Sequence, residues 1–220
     1  MAAACTPQAQ LIAAVAPYLT GLFPYETFGT VLSNLKGVSN ENQKRLDQMA
    51  AKGDWEGVAK FAEDNIAKER RIADWWVVAG LAYAQMGQFP KASERFAEAV
   101  RLDPSDMETR NLLALSQRLG GDPQRALKTL NAGLQVNQES PETFYLIGEC
   151  FLDLKQPERA AQAFERALSL EPNAAEAWYG LGIAYAQLGR SAETQEAVSR
   201  LRALDPALAD RLAAATGAGR

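Results

Sequence analysis

Histidine is absent from the 220 residues, which excludes every mechanism that needs imidazole as a base, a proton shuttle or a metal ligand. Cysteine is nearly absent: Cys5 and Cys150 stand far apart with no C-x-x-C pairing, so neither a zinc site nor a disulfide framework can be assembled. No G-x-x-x-x-G-K-[ST] phosphate loop occurs, and Gly120-Gly121 has no lysine after it and no strand before it, so it reads as a turn. Positive charge is not in excess, with 23 Lys and Arg against 27 Asp and Glu and a net charge of −4. That balance argues against nucleic acid, whose phosphates call for a basic surface. No metal and no cofactor are expected. Hydrophobic residues at 47% and charged residues at 23% match ordinary globular usage, which argues against a disordered chain.

What the sequence does contain is a period. Gly80, Ala114, Gly148 and Gly182 follow one another at steps of 34 residues, as do Ala92, Ala126, Ala160 and Thr194. Phe96, Leu130, Phe164 and Val198 keep the register, and so do Ala99, Gly133, Ala167 and Leu201. Pro104, Pro172 and Pro206 close three units, with Gln138 in the same place in the second, and aromatics recur at Trp76, Phe144 and Trp178, then at Tyr83, Phe151 and Tyr185. Four units result, 73–106, 107–140, 141–174 and 175–208, without one insertion. Each holds two amphipathic helical stretches joined at a breaker: Met86-Gly87-Gln88, Gly120-Gly121-Asp122-Pro123, Lys155-Gln156-Pro157 and Leu188-Gly189-Arg190. The small residues mark where two helices approach closest, and Gly148 is expected to face Ala160. The prolines at unit ends are expected to start the next helix, where the missing N–H costs nothing. The aromatics supply area that one hairpin alone cannot bury.

Ala177-Trp178-Tyr179-Gly180-Leu181-Gly182 with Tyr185, and Ala160, Phe164, Ala167 and Pro172 in the preceding unit, resemble the tetratricopeptide repeat. The resemblance implies an all-α fold, a right-handed superhelical solenoid of antiparallel helix hairpins, with four repeats in 73–208. The second repeat departs from the family, carrying Arg110, Gln117 and Gln138 where Trp, Tyr and Pro are preferred. Residues 39–72, with Trp55, Val58, Ala62 and Ile66 in step, read as a degenerate fifth hairpin. Residues 206–216 read as a capping helix with Leu208 and Leu212 inward.

The family implies a concave groove lined by the first helices and open to an extended peptide or a partner's helix. Its register falls on Val77, Leu81 and Gln85, on Asn111, Leu115 and Arg118, on Tyr145, Glu149 and Leu152, and on Tyr179, Ile183 and Gln187. The mixture supplies apolar area, two amphipathic tyrosines and polar groups for a peptide backbone. One subfamily grips a C-terminal carboxylate through Lys, Asn and Arg; the matching positions here are Val77, Leu81, Leu112, Glu142 and Leu146, so that clamp lacks its cations. Asp74, Glu108, Glu142 and Glu176 open the four first helices, where a carboxylate favours the helix N-terminus. Glu149 and Asp153 lie four residues apart on one helix face, but no nucleophile accompanies them, and catalysis is not expected. Cys150, in an apolar pattern, is expected as a small buried hydrophobe, and Trp55 and the Trp75-Trp76 pair as helix-contact residues.

The N-terminal segment 1–38 stands apart. Met1-Ala2-Ala3-Ala4-Cys5 resembles the end of a bacterial envelope lipoprotein signal, with small residues before a lipidated cysteine, although the apolar stretch of such a signal is missing from the sequence. Segment 11–35 is apolar with one charge, Glu26, and is broken by Pro17, Gly21, Pro24 and Gly29, a pattern that disfavours a continuous spanning helix. Docking helices or a self-association contact are expected there instead. The function expected is a non-catalytic adaptor or scaffold for a protein or peptide. The alternative is a structural envelope lipoprotein assembled through its N-terminus. Location follows the same fork: cytoplasm or, if Cys5 carries lipid, a periplasm-facing membrane anchor; any membrane association is expected through Cys5 or residues 11–35.

Overall fold

The computed structural model describes residues 35–217. Cys5, and all of the segment 11–35 except Leu35, lie outside the described residues, and with them the anchoring and self-association expectations. Within the described residues every regular element is a helix. They are α1 Asn40–Ala51, α2 Trp55–Lys68, α3 Ala73–Gln85, α4 Phe89–Leu102, α5 Met107–Leu119, α6 Pro123–Leu134, α7 Pro141–Asp153, α8 Pro157–Leu170, α9 Ala175–Gln187, α10 Ser191–Leu204 and α11 Pro206–Thr216. None of them is long and apolar enough to cross a membrane.

The helix boundaries have local causes. Ser39, Asp54, Asp106, Asp122, Ser140 and Asp205 each accept a hydrogen bond from a first-turn backbone N–H of the helix that follows, satisfying a donor the helix cannot. Pro123, Pro141, Pro157 and Pro206 occupy first helical positions. Pro104 and Pro172 do not: they lie in the turns ahead of α5 and α9, where their carbonyls serve as acceptors.

Between the two helices of each hairpin the chain makes one tight turn. Gly53, Gly87, Gly121, Lys155 and Gly189 all have positive φ, between 58° and 91°, and they recur at the 34-residue period. After α3 the Gly87 N–H donates to the Ala84 carbonyl at 2.9 Å and the Gln88 N–H to the Tyr83 carbonyl at 2.9 Å. The same pair of bonds closes α1, α7 and α9, which is the Schellman arrangement of a left-handed helix stop. The turn extends the period to the hairpin of α1 and α2, whose Leu46, Val58 and Ala62 are fully buried.

The chain divides into two compact units, the first ending at Gly121 and the second beginning at Asp122. In the first, α1 to α5 pack in chain order, each on the next, around a core that includes Leu35, Val38, Leu46, Trp75, Val78 and Phe96. The Asp74 carboxylate accepts the Gly37 N–H at 2.5 Å and the Gln43 side chain donates to the Leu35 and Val38 carbonyls, tying 35–38 to this core. In the second unit, α6 to α11 pack in the same serial way, and α9 also meets α7 and α11.

Three rows of the repeat form the contact surfaces. Ala92, Ala126, Ala160 and Thr194 are buried, as are Phe96, Leu130, Phe164 and Val198, and Ala99, Gly133, Ala167 and Leu201. The nearest neighbour of Gly148 is the ring of Phe164 rather than Ala160: a β-carbon there would stand 2.6 Å from Cε1 of Phe164. A β-carbon on Gly180 of α9 would stand 2.5 Å from Cζ of the same ring, and one on Gly80 would stand 2.6 Å from Cε1 of Phe96. A missing side chain on one helix thus admits a whole phenyl ring from its neighbour, and interior packing density leaves no slack for both. Leu212 and Ala209 of α11 are fully buried against α9 and α10, so α11 covers the apolar end of the last hairpin.

Candidate protein-binding surfaces

Within each unit, α3, α7 and α9 pack on the second helix of their own hairpin. The twelve groove positions expected from the sequence differ in burial. In the first unit Val77, Leu81, Asn111, Leu115 and Arg118 are buried, with Leu115 at 1% exposure and Arg118 at 9%; Gln85 is half-buried. Buried side chains shape a surface but offer a ligand little area. In the second unit Tyr145, Glu149 and Leu152 on α7 are half-buried, as are Tyr179 and Ile183 on α9, while Gln187 is exposed. Tyr145 leans on Phe164, ring centroids 5.9 Å apart. Tyr179 and Ile183 pack against the buried cluster that includes Ala209 and Leu212 of α11, and the Arg211 guanidinium lies 5.5 Å from the Tyr179 ring. Part of the last first-helix face is therefore used within the chain. Cys150 is 1% exposed and behaves as the small hydrophobe its pattern indicates.

Two of the carboxylates that open the first helices make local hydrogen bonds. Asp74 holds Gly37, and Glu142 accepts the Ser140 hydroxyl at 3.0 Å. Burial raises the Glu176 carboxyl above its ordinary range, and the nearby Asp205 and Glu171 charges push the same way. Among the described residues no group of His, Cys, Asp and Glu side chains could hold a metal ion.

A second set of polar contacts follows the aromatic rows. The indole N–H of Trp76 donates to the Arg70 carbonyl at 3.1 Å, and that of Trp178 to the Pro172 carbonyl at 2.9 Å. Arg110, the second repeat's departure from the family, donates from Nη2 to the Pro104 carbonyl at 2.6 Å. All three bonds span six residues and occupy one register, so the guanidinium takes over the indole's donor role.

One cluster was invisible in the sequence. Arg95 on α4 donates from Nε to Glu63 of α2 at 2.6 Å, lies 3.7 Å from Glu94, and stacks near Trp76 and Tyr83, its guanidinium carbon 5.9 and 5.8 Å from their ring centres. The Tyr83 hydroxyl donates to the same Glu63 oxygen at 3.3 Å. Burial, then Glu63, raises the Tyr83 hydroxyl above its ordinary range; burial opposes the Arg95 charge, but Glu63 outweighs it and the guanidinium is held still more firmly protonated. The carboxylate, the two rings and the cation come from three helices, and only the repeat register links them.

Serial packing of antiparallel hairpins on a 34-residue period, with small residues at the helix crossings and a left-handed glycine-type turn in each, defines a helical-repeat protein. Residues 85–167 match the family model of the anaphase-promoting complex, cyclosome, subunit 3, and residues 145–209 match a tetratricopeptide repeat model. By these matches the chain carries tetratricopeptide repeats. It is 26% identical over 110 residues to the TPR repeat-containing protein MJ1428 of Methanocaldococcus jannaschii, a match that covers 46% of this chain and 19% of that protein. The chain thus spans about a fifth of that relative's length. The fold is similar to MamA residues 41 to the end from Desulfovibrio magneticus RS-1, with TM-score 0.66 and 17% identity over 75% of this chain and 93% of that one. It is similar to the thermophilic TPR protein TTC0263 of Thermus thermophilus, with TM-score 0.62 and 19% identity over 78% and 95%. It is also similar to YrrB, described as a TPR protein with an unusual peptide-binding site, with TM-score 0.60 and 19% identity over 84% and 97%.

Proposed function

We propose that this chain is a non-catalytic adaptor that holds an extended peptide, or a helix of a partner protein, on the outward faces of α7 and α9. Tetratricopeptide repeats generally mediate protein–protein contact, and YrrB, a neighbour in fold, is a peptide-binding member. The observation that carries the reading is the pair Tyr145 and Tyr179, one period apart on the adjacent helices α7 and α9, both only half-buried. Two rigid amphipathic rings at one register, flanked by Leu152 and Ile183 for apolar area and by Glu149 and Gln187 for backbone hydrogen bonds, suit a chain laid across both helices. The positions where a carboxylate clamp would need cations carry Val77, Leu81, Leu112, Glu142 and Leu146, so the recognised segment is an internal one rather than a free C-terminus.

The test is selection of binding peptides on the purified full-length chain from a displayed random library. Calorimetry then follows the best peptide with the wild type and with the Tyr145→Ala, Tyr179→Ala variant. Loss of two interface aromatics weakens binding by about tenfold or more; unchanged affinity in a folded double variant removes the reading.

A further inference from the structure

Charge is unevenly placed along the row of Tyr145 and Tyr179. Helix α7 carries Glu142, Glu149 and Asp153 and neither lysine nor arginine, and α9 carries Glu176 and neither cation. Glu142 and Glu176 each stand three residues ahead of the tyrosine of their helix and so share its side. A cation reaches the row from α11, where the exposed Arg211 sets its guanidinium 5.5 Å from the Tyr179 ring.

The backbone beneath that cation is fixed. Leu212, the next residue, is fully buried, and a β-carbon on Gly182 of α9 would run into Cδ2 of Leu212, so α11 sits on α9 without slack. Arg211 also differs from arginines that stack on the other aromatic row. Arg95 is bonded to Glu63, and Arg200 lies 3.7 Å from Glu196. Asp210, the sequence neighbour of Arg211, lies 3.9 Å from Arg202 instead, and among the described residues no carboxylate is paired with Arg211. A guanidinium stacked on a ring keeps its N–H fork in its own plane, open to a carboxylate.

We infer that the peptide held across α7 and α9 carries an aspartate or glutamate side chain that bonds Arg211 beside Tyr179. This rests on the adaptor reading and adds the chemistry of the partner to it: a segment with apolar or aromatic anchors and an acidic residue toward α11. The same contact fixes the direction of the peptide. Turned end for end, its carboxylate would lie against α7, which itself supplies three carboxylates and no cation, so charge opposes the reversed pose as well as favouring the forward one.

The probes are the best peptide from the displayed random library, its versions with each Asp or Glu changed in turn to Gln, and the parent with a nitroxide at either end. Calorimetry on the full chain compares the wild type with Arg211→Gln; the side chain is exposed, so the variant is expected to fold. One Gln-bearing peptide should bind the wild type about fivefold more weakly than the parent, the scale of a partly exposed ion pair. Arg211→Gln should weaken the parent by the same factor and leave that Gln-bearing peptide unchanged. The nitroxide at the end nearer the acidic residue should broaden the backbone resonances of 206–216, and the one at the far end those of 141–153. Equal losses for both peptides, which a merely structural role of Arg211 predicts, overturn the inference. So do selected peptides without an acidic residue, or broadening of 141–153 by the acidic end. Each of these leaves the adaptor reading standing, whereas a selection that yields no peptide, or peptides indifferent to the Tyr145→Ala, Tyr179→Ala variant, removes that reading and this inference together.

Discussion

Gly148→Ala tests the packing argument where its two components have opposite sign. Alanine gains about 1 kcal/mol over glycine in a helix interior. Against this, the new β-carbon would stand 2.6, 2.7 and 2.8 Å from three atoms of the Phe164 ring, and overpacking of a filled core costs about 1–3 kcal/mol. The ring cannot swing away, because it is fully buried, and a β-carbon on Gly180 of α9 would stand 2.5 Å from its Cζ. Net destabilisation of about 0–2 kcal/mol follows. In a Phe164→Ala background all three of these ring atoms are gone, so the same substitution becomes neutral or stabilising by up to about 1 kcal/mol. The assay is urea unfolding of the full chain followed by helical circular dichroism for the four members of the cycle. The comparison is made at unchanged m-value, since repeat arrays can lose cooperativity. A coupling of about 1–3 kcal/mol with a change of sign is expected. Equal effects of Gly148→Ala in both backgrounds, within about 0.5 kcal/mol, would refute the claim that glycine is there to admit the ring.

Lys155→Gly relieves the one non-glycine residue in the left-handed turn. The strain removed, about 1–2 kcal/mol, exceeds the roughly 0.4–1 kcal/mol of added unfolded-chain entropy, so the urea midpoint should rise, and a fall contradicts the turn assignment. Arg110→Ala should cost about 1 kcal/mol by leaving the Pro104 carbonyl without its donor, while Arg110→Trp should lose less, because an indole already serves that carbonyl's counterparts at Arg70 and Pro172. Equal losses in the two variants contradict the donor role. Glu176→Gln should stabilise the chain at neutral pH. Burial raises the folded carboxyl above its ordinary range, so its ionisation penalises the fold as pH rises through and above that range. The advantage should vanish below about pH 4, where both side chains are neutral; an advantage that persists there contradicts the linkage.

Much of the fold was legible in the residues themselves, because the 34-residue spacing of Ala92, Phe96 and Ala99 with their counterparts states which helix faces meet. The partner atoms were not. Gly148 was expected against Ala160, the other small residue of its hairpin, but a phenyl ring four residues farther along α8 reaches over and fills the gap. The turn register was hidden by Lys155, since a lysine carries no sign of positive φ. Arg110 looked like a defect in the second repeat, yet a guanidinium and an indole can each offer an N–H to one carbonyl. Pro104 and Pro172 looked like helix starters and instead lend carbonyl acceptors to Arg110 and Trp178. For the surface, spacing identified the outward register of α7 and α9 but not exposure. Val77, Leu81, Asn111 and Leu115 share that register and are buried, which depends on tertiary neighbours and not on helical phase.

The most direct test of the adaptor reading is a resonance-by-resonance titration of the full chain with the best peptide from the library selection. The account predicts that the largest shifts fall on 145–152 and 179–187, along the outward faces of α7 and α9. Shifts confined to other parts of the chain, with those two stretches unmoved at saturation, would contradict it.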